Sequence, residues 1–190
     1  MDNKAIRKEM RQKRQSLSAP QQADASHGLA RQLCRLPVFL FGKNIAFYLA
    51  NDGEIDPGIA MGIAEAAGKA CHLPVLHPLK QNRLHFVRYR TGQPLTANRF
   101  GIAEPPLRRN RIVPLLAIDV VLLPMVAFDR QGNRLGMGGG FYDRTLSQSF
   151  RLTKFIGLAH SSQETDSIAP QPWDIPLQAI VTERDIIQIR

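Results

Sequence analysis

The stretch DVVLLP at positions 119–124 is apolar at four consecutive residues, 120–123. A strand with one wet face alternates apolar and polar side chains, so a strand that is apolar throughout must be covered on both faces. The centre of a parallel sheet with helices on either side meets that requirement. Neighbouring segments fit the same scheme. Residues 44–50, 71–77, 84–90, 155–159 and 179–182 carry strand patterns. Helical patterns occupy 3–16, 18–35 and 56–68, and another begins near Tyr142. Alternating strands and helices with an apolar central strand predict an α/β layered fold with a mostly parallel sheet. With no internal repeat, linker or low-complexity stretch, residues 1–190 read as one domain.

Local signals set the helix ends. Ser18 followed by Gln21 reads as a capping box, with Pro20 in the first turn, and Pro37 is expected to end that helix. Asp56 before Pro57 reads as a second N-cap. In the first helix Ile6 and Met10 share a face, while Lys4, Lys8, Arg11 and Arg14 surround it. Taken alone, those four cations describe a solvated helix face.

Composition narrows the function classes. Hydrophobic residues make up 44% and charged residues 22%, which is globular rather than disordered. The longest apolar run, around 120–128, is broken by Pro124 and is too short to span a membrane. The basic N-terminus lacks a secretory apolar core, and Asp2 and Glu9 weigh against a mitochondrial presequence. Cys34 and Cys71, 37 positions apart, form no metal motif and read as thiols in a reducing compartment, so a cytoplasmic location is expected. A net charge of +9 suits either nucleic acid or small polyanions. The first is disfavoured, because aromatic residues are only 7% and no nucleic-acid module is recognisable. The five histidines show no metal spacing and receive no role.

The most informative segment follows the apolar strand. Five of the 14 glycines fall between Gly132 and Gly140, and a helix pattern comes next. In an open α/β sheet, ligands bind outside the carboxyl ends of the strands. Glycine there lets a ligand approach the backbone, and successive N–H groups form a concave anion site. Arg134 and Arg144 flank the loop and can neutralise phosphate. No Gly-Lys-Ser/Thr ending follows, so this is no Walker loop, and Phe141 stands where the dinucleotide fingerprint needs its last glycine. Asp143 directly after the loop suggests a cation between carboxylate and phosphate, usually Mg²⁺.

The run PMVAFDRQGNRLGMGGGFYDR at 124–144 resembles the signature of 5-formyltetrahydrofolate cyclo-ligases. The likeness extends to NDGEID at 51–56, PVLHP at 74–78, FGIAEP at 100–105 and WDIPLQAIVTE at 173–183. It implies a three-layer α/β/α fold like that of ribose-5-phosphate isomerases and CoA transferases. It also implies ATP and Mg²⁺ as cofactors, a reduced folate as substrate, and a monomer that binds neither nucleic acid nor membrane. Residue by residue, the resemblance assigns Arg134, Leu135, Gly136, Met137, Gly138, Gly139, Gly140, Phe141 and Tyr142 to the ATP phosphates, with Arg134 and Tyr142 catalytic. Met137 through Phe141 also lie near the folate in that reading, joined by Leu49 and Glu54. A carboxylate at Glu54 suits the paired N–H donors of a pterin. Asp143 and Asp174 match metal ligands, and Lys4 and Lys8 match an N-terminal basic pair at the nucleotide, with Arg7 also available. Some family members carry basic residues where this chain has Met137 and Gly139, which shifts the phosphate clamp toward Arg134 and backbone N–H groups. Phe100 reads as core packing or a pterin stack, and Trp173 as a lid over the C-terminal strand.

Overall fold

The computed structural model describes residues 2–107, 112–147 and 153–189. Within the turn-rich stretch 91–116, residues 108–111 lie outside the described residues. The helices are α1 (Asn3–Gln15), α2 (Ala19–Leu33), α3 (Pro37–Phe41), α4 (Gly58–Ala66) and α5 (Phe141–Leu146). The strands are β1 (Asn44–Ala46), β2 (Ala70–Leu76), β3 (Leu84–Arg88), β4 (Thr96–Ala97), β5 (Ala103–Glu104) and β6 (Ile112–Val113). They continue with β7 (Val120–Pro124), β8 (Ala127–Phe128), β9 (Arg134–Leu135), β10 (Lys154–Leu158), β11 (Ala179–Val181) and β12 (Ile186–Gln188).

Local chemistry explains several boundaries. Asp2 caps α1 by accepting the Lys4 N–H, and Ser18 with Gln21 forms the expected capping box on α2. Pro37 does more than end a helix. It opens α3 from the first turn, where its missing N–H leaves no bond unmade. Asp56 is not the N-cap that was expected: Pro57 holds that position at α4, and Asp56, one residue earlier, accepts the Gly58 N–H on its Oδ1 at 2.8 Å. The expected strand 44–50 is shorter: ladder pairing covers Asn44–Ala46, and Phe47 adds one bond to His72 O. Beyond it the backbone leaves the sheet, held by the Tyr48 hydroxyl on Ile55 O at 2.7 Å.

Eight strands form one sheet in the order β12-β11-β10-β7-β1-β2-β3-β6. Neighbours from β11 through β2 are parallel, while β12 at one edge and β3 and β6 at the other are antiparallel. The sequence pattern anticipated the parallel centre but missed β12 and the antiparallel pairings. As expected, β7 is central, and its side chains alternate between two cores. Val120 and Leu122 pack with α2 and α4, whereas Val121 and Leu123 pack with Leu146 of α5 and with Ile175 and Leu177. Each such buried aliphatic contributes about 2 kcal/mol. The second covering layer is thin, since α5 has only six residues. A third cluster joins Ile6 and Met10 of α1 to Val126, Ala127, Leu135 and Ile168. No helix among the described residues is long and apolar enough to cross a membrane.

The topology locates a crevice. From β1 the chain crosses to β2 through α4 on one face, and from β7 it crosses to β10 through α5 on the other. Adjacent strands β1 and β7 therefore diverge at their carboxyl ends, where an open α/β sheet leaves room for a ligand.

Candidate active site

Three strand exits meet at this crevice. The segment after β1 reaches a turn in which Asp52 (φ 53°) and Gly53 (φ 75°) are left-handed and Glu54 N–H returns to Asn51 O at 3.0 Å. The segment after β7 carries Met125 and the glycine loop. The segment after β10 carries His160, whose Nε2 lies 3.2 Å from Gly53 O. Buried Gln163 ties these together: its Nε2 donates to Met125 O and Val126 O, both at 2.8 Å, and its Oε1 accepts the His160 N–H.

The glycine segment is more ordered than a flexible turn. Strands β8 and β9 pair as a small hairpin, bringing Arg134 opposite Phe128. Asp129, fully buried, organises its turn by accepting from the N–H groups of Gln131, Asn133 and Ile168 and from Asn133 Nδ2. Past β9, Gly138 (φ 93°) and Gly140 (φ 61°) adopt left-handed backbone that other residues rarely take. Arg144 folds back so that its Nη1 donates to Gly139 O, and a Cβ on Gly140 would lie 3.0 Å from that guanidinium. With six residues, α5 adds little dipole, so any anion would be held by loop N–H groups and side chains.

Arg134 and Asp143 form an ion pair across the loop. Arg134 also donates to Ile175 O, and Asp143 Oδ1 accepts the Ile175 N–H at 3.3 Å. Asp174, next to Ile175, caps its own turn by accepting the Gln171 N–H at 2.8 Å. Of the two expected metal ligands, Asp143 thus contacts the 171–175 turn through Ile175, while the Asp174 carboxylate is used within that turn. Among the described residues no group of three or more metal-ligating side chains occurs.

Helix α1 lies along the other side. Arg7 Nε donates to Gly136 O at 2.9 Å, while Lys4 and Lys8 are exposed. The helix is not the solvated basic face that its spacing suggested. Arg11 forms a fork on Asp52 (2.8 and 3.2 Å), and Arg14 has no exposed surface. These guanidiniums hold the Asp52 carboxyl well below the usual range. Glu54 behaves oppositely: burial pushes its carboxyl up to about 7, and Arg14 offsets this only in part. Burial and the Glu54 charge also raise the Tyr142 hydroxyl, so it stays protonated.

The family model of the 5-formyltetrahydrofolate cyclo-ligase family matches residues 1–183. The chain belongs to that family. It is 42% identical to the 5-formyltetrahydrofolate cyclo-ligase of Haemophilus influenzae over 174 residues, covering 90% of this chain and 92% of that one. It is 40% identical to the cyclo-ligase of Escherichia coli K12, covering 91% and 96%. Among solved structures, the 5,10-methenyltetrahydrofolate synthetase of Aquifex aeolicus superposes with a TM-score of 0.85 at 30% identity, covering all of this chain and 94% of that one. The Mycoplasma pneumoniae 5,10-methenyltetrahydrofolate synthetase gives 0.78 at 25% identity, covering 97% and 100%.

In this cyclo-ligase family member, some of the residues that the resemblance singled out interact with one another. Arg134, Asp143 and Ile175 form one contact group, and Tyr142 and Glu54 interact electrostatically. Leu49 is half-buried against the core. Phe100 is not core: it is 53% exposed, edge-on to Phe141 at 5.8 Å. Trp173 is no lid, being 68% exposed on its turn. Sequence reasoning missed Arg14, Asp52, Asp129, His160 and Gln163. Many of their partners lie far along the chain, while Asp129 and Asn133, four positions apart, could have been seen as a turn motif. Two cavities lie elsewhere. One beside α5 is lined by His77, Lys80, Arg83, His85 and Thr145, and the other lies at the opposite strand ends by Lys43, Asp119 and Lys154. The glycine loop lines neither.

Proposed function

We propose that this protein closes 5-formyltetrahydrofolate to 5,10-methenyltetrahydrofolate at the expense of ATP, in the groove between α1, the Glu54 turn and the glycine loop. The match to the cyclo-ligase family over residues 1–183 carries this reading. The chemistry needs a leaving group, because an amide oxygen leaves poorly. The formyl oxygen on N5 attacks the γ-phosphorus of ATP, and ADP departs. N10 then attacks the activated formyl carbon and loses its proton, and phosphate leaves with the former formyl oxygen. Each step asks the protein mainly for positioning and charge neutralisation.

This chain's groups suit those tasks. Arg134 and the N–H groups of residues 136–141 face phosphate, with Lys4 and Lys8 (or Arg7) on the nucleotide side. Glu54 receives the pterin donors, with Leu49 also on the folate side. Its raised carboxyl alternates between neutral and charged near neutral pH, so it can also take up a proton. Tyr142, protonated and beside Glu54, donates a hydrogen bond to developing negative charge. Asp143 and Asp174 would hold Mg²⁺. The donor set fits, since Mg²⁺ is commonly held by one or two carboxylates plus substrate phosphates. Arg134 and the Ile175 N–H both use Asp143 Oδ1, which leaves Oδ2 for a cation. The bound ion would neutralise charge on the triphosphate. The same reading has a cytoplasmic monomer acting on small molecules.

The direct test mixes the protein with 5-formyltetrahydrofolate, ATP and Mg²⁺ and follows methenyl absorbance in the near ultraviolet. An ATP-dependent rise is expected. No rise, or tight salt-sensitive RNA binding in its place, would remove the assignment.

A further inference from the structure

Arg14 carries a full charge at 0% exposure. Burying a guanidinium costs several kcal/mol unless its donors are all used. Here they are used on separate segments of chain. Nε donates to Asp52 O at 2.8 Å and Nη2 to Asp52 Oδ2 at 2.7 Å. Nη1 donates to Met125 O at 3.3 Å and lies 3.8 Å from Glu54 Oε1, while Nη2 lies 3.8 Å from Met137 Sδ. Gln22 reinforces the junction by donating to both Arg14 O and Gly53 O. One planar fork thus touches the turn after β1, the exit of β7 and the glycine loop. A lysine ammonium cannot reproduce that geometry.

We propose that Arg14 is the positioning residue that sets the Glu54 turn and the glycine loop at one fixed separation, aligning the folate side of the groove with the nucleotide side. This rests on the cyclo-ligase reading of the groove. Arg14 acts through Glu54 and Met137 and does not meet the reacting atoms itself. The groups bearing on Glu54 are Arg14 from α1, Asp52 from its own turn, Tyr48 from the segment after β1 and Tyr142 from α5. His160, from the segment after β10, faces Gly53 O and feels Arg14. Arg14 favours the ionised carboxylate of Glu54, whereas the Asp52 charge and burial oppose it.

The test uses the full chain carrying Arg14→Met, Arg14→Lys, Asp52→Asn, Glu54→Gln and the double variant Arg14→Met/Glu54→Gln. Arg14→Met leaves Asp52 paired with Arg11 and Gln15, which favours folding. Circular dichroism verifies the fold, and kcat and KM for each substrate are taken across pH 5.5 to 8.5. Arg14→Met and Arg14→Lys should each lower kcat/KM for the folate ~10-fold or more. The Glu54 limb of that profile should move up by about one pH unit in Arg14→Met and down in Asp52→Asn. Scaffolding alone would not move the limb in opposite directions. The double variant should lose less than the sum of the two single variants, since Arg14 acts in part through Glu54. A folded Arg14→Met with kcat/KM within about twofold of the parent and an unmoved limb overturns the proposal. So do losses that simply add in the double variant. If Arg14→Met fails to fold, Arg14→Lys and Asp52→Asn decide: an unchanged kcat/KM in the first or an unmoved limb in the second overturns it. A parent that does not turn over substrate removes the cyclo-ligase reading and this proposal together, whereas an active parent with indifferent variants removes only the proposal.

Discussion

The Arg134 guanidinium closes on the Asp143 carboxylate nine residues further along, across the turn formed by the glycines. The expected phosphate cation and the expected metal ligand therefore restrain each other. Asp143→Ala should lower kcat by about 100-fold or more, because it removes the proposed metal ligand and unpins Arg134. Asp143→Asn, which keeps a hydrogen-bond partner, should leave the thermal midpoint close to the parent yet stay slow. Turnover measured across Mg²⁺ concentrations checks this. Full activity of Asp143→Ala at every Mg²⁺ level would show that the metal is held elsewhere.

Glu54 should make stability depend on pH in a specific direction. Its folded carboxyl lies near 7 against an ordinary value of 4.5, so the folded chain binds that proton more tightly than the unfolded one. Its contribution is therefore present below about 4.5 and is lost as pH rises through 7. Glu54→Gln removes the effect, so the variant should gain on the parent across that window by on the order of 3 kcal/mol. The His72 imidazole, buried without a hydrogen-bond partner among the described residues and pushed down to about 4, acts in the opposite sense, but equally in both proteins. Urea midpoints of both proteins at pH 5 and pH 8 give the difference. A gap that does not widen with pH would mean that Glu54 is not held in its buried, proton-binding form.

Arg7 and Lys8 are the two candidates for the proposed nucleotide role, and their placement differs. Arg7 reaches Gly136 O, and Lys8 points from an exposed position. Arg7→Ala should raise KM for ATP roughly tenfold and Lys8→Ala only a few-fold, with KM for the folate little changed in either. Steady-state titration of each substrate separates the cases. Equal losses for ATP and folate would count against a nucleotide role for this helix.

Asp129 gathers four donors without exposure to solvent. Asp129→Ala strands them and should destabilise the fold by about 3 kcal/mol. Chemical denaturation measures this directly. A cost under about 1 kcal/mol would mean that the β8–β9 hairpin holds without its buried carboxylate.

Much of the architecture was legible because it rests on local patterns. The unbroken apolar run of β7 demanded cover on both faces, and Ser18 with Gln21 announced the start of α2. At the edges, β3 was expected as a strand, but neither its antiparallel pairing nor β12 was legible. In β3, burial falls on Phe86 and Val87 together rather than on alternate residues. The three residues of β12 are too few to show a period. Leu49, Glu54, Arg134, Tyr142, Asp143 and Asp174 could be named through motif resemblance, yet none of their contacts could.

By itself the chain's residue order determined the α/β alternation, the central strand, the glycine turn and the family, since each depends on neighbours a few positions apart. Tertiary structure alone decided which charges are spent on structure. Arg14 and Lys8 look alike along one helix, but one is enclosed by Asp52, Met125 and Met137 and the other faces water. Desolvation and pairing depend on the segments that packing brings together, and those segments lie 38 to 123 residues from Arg14.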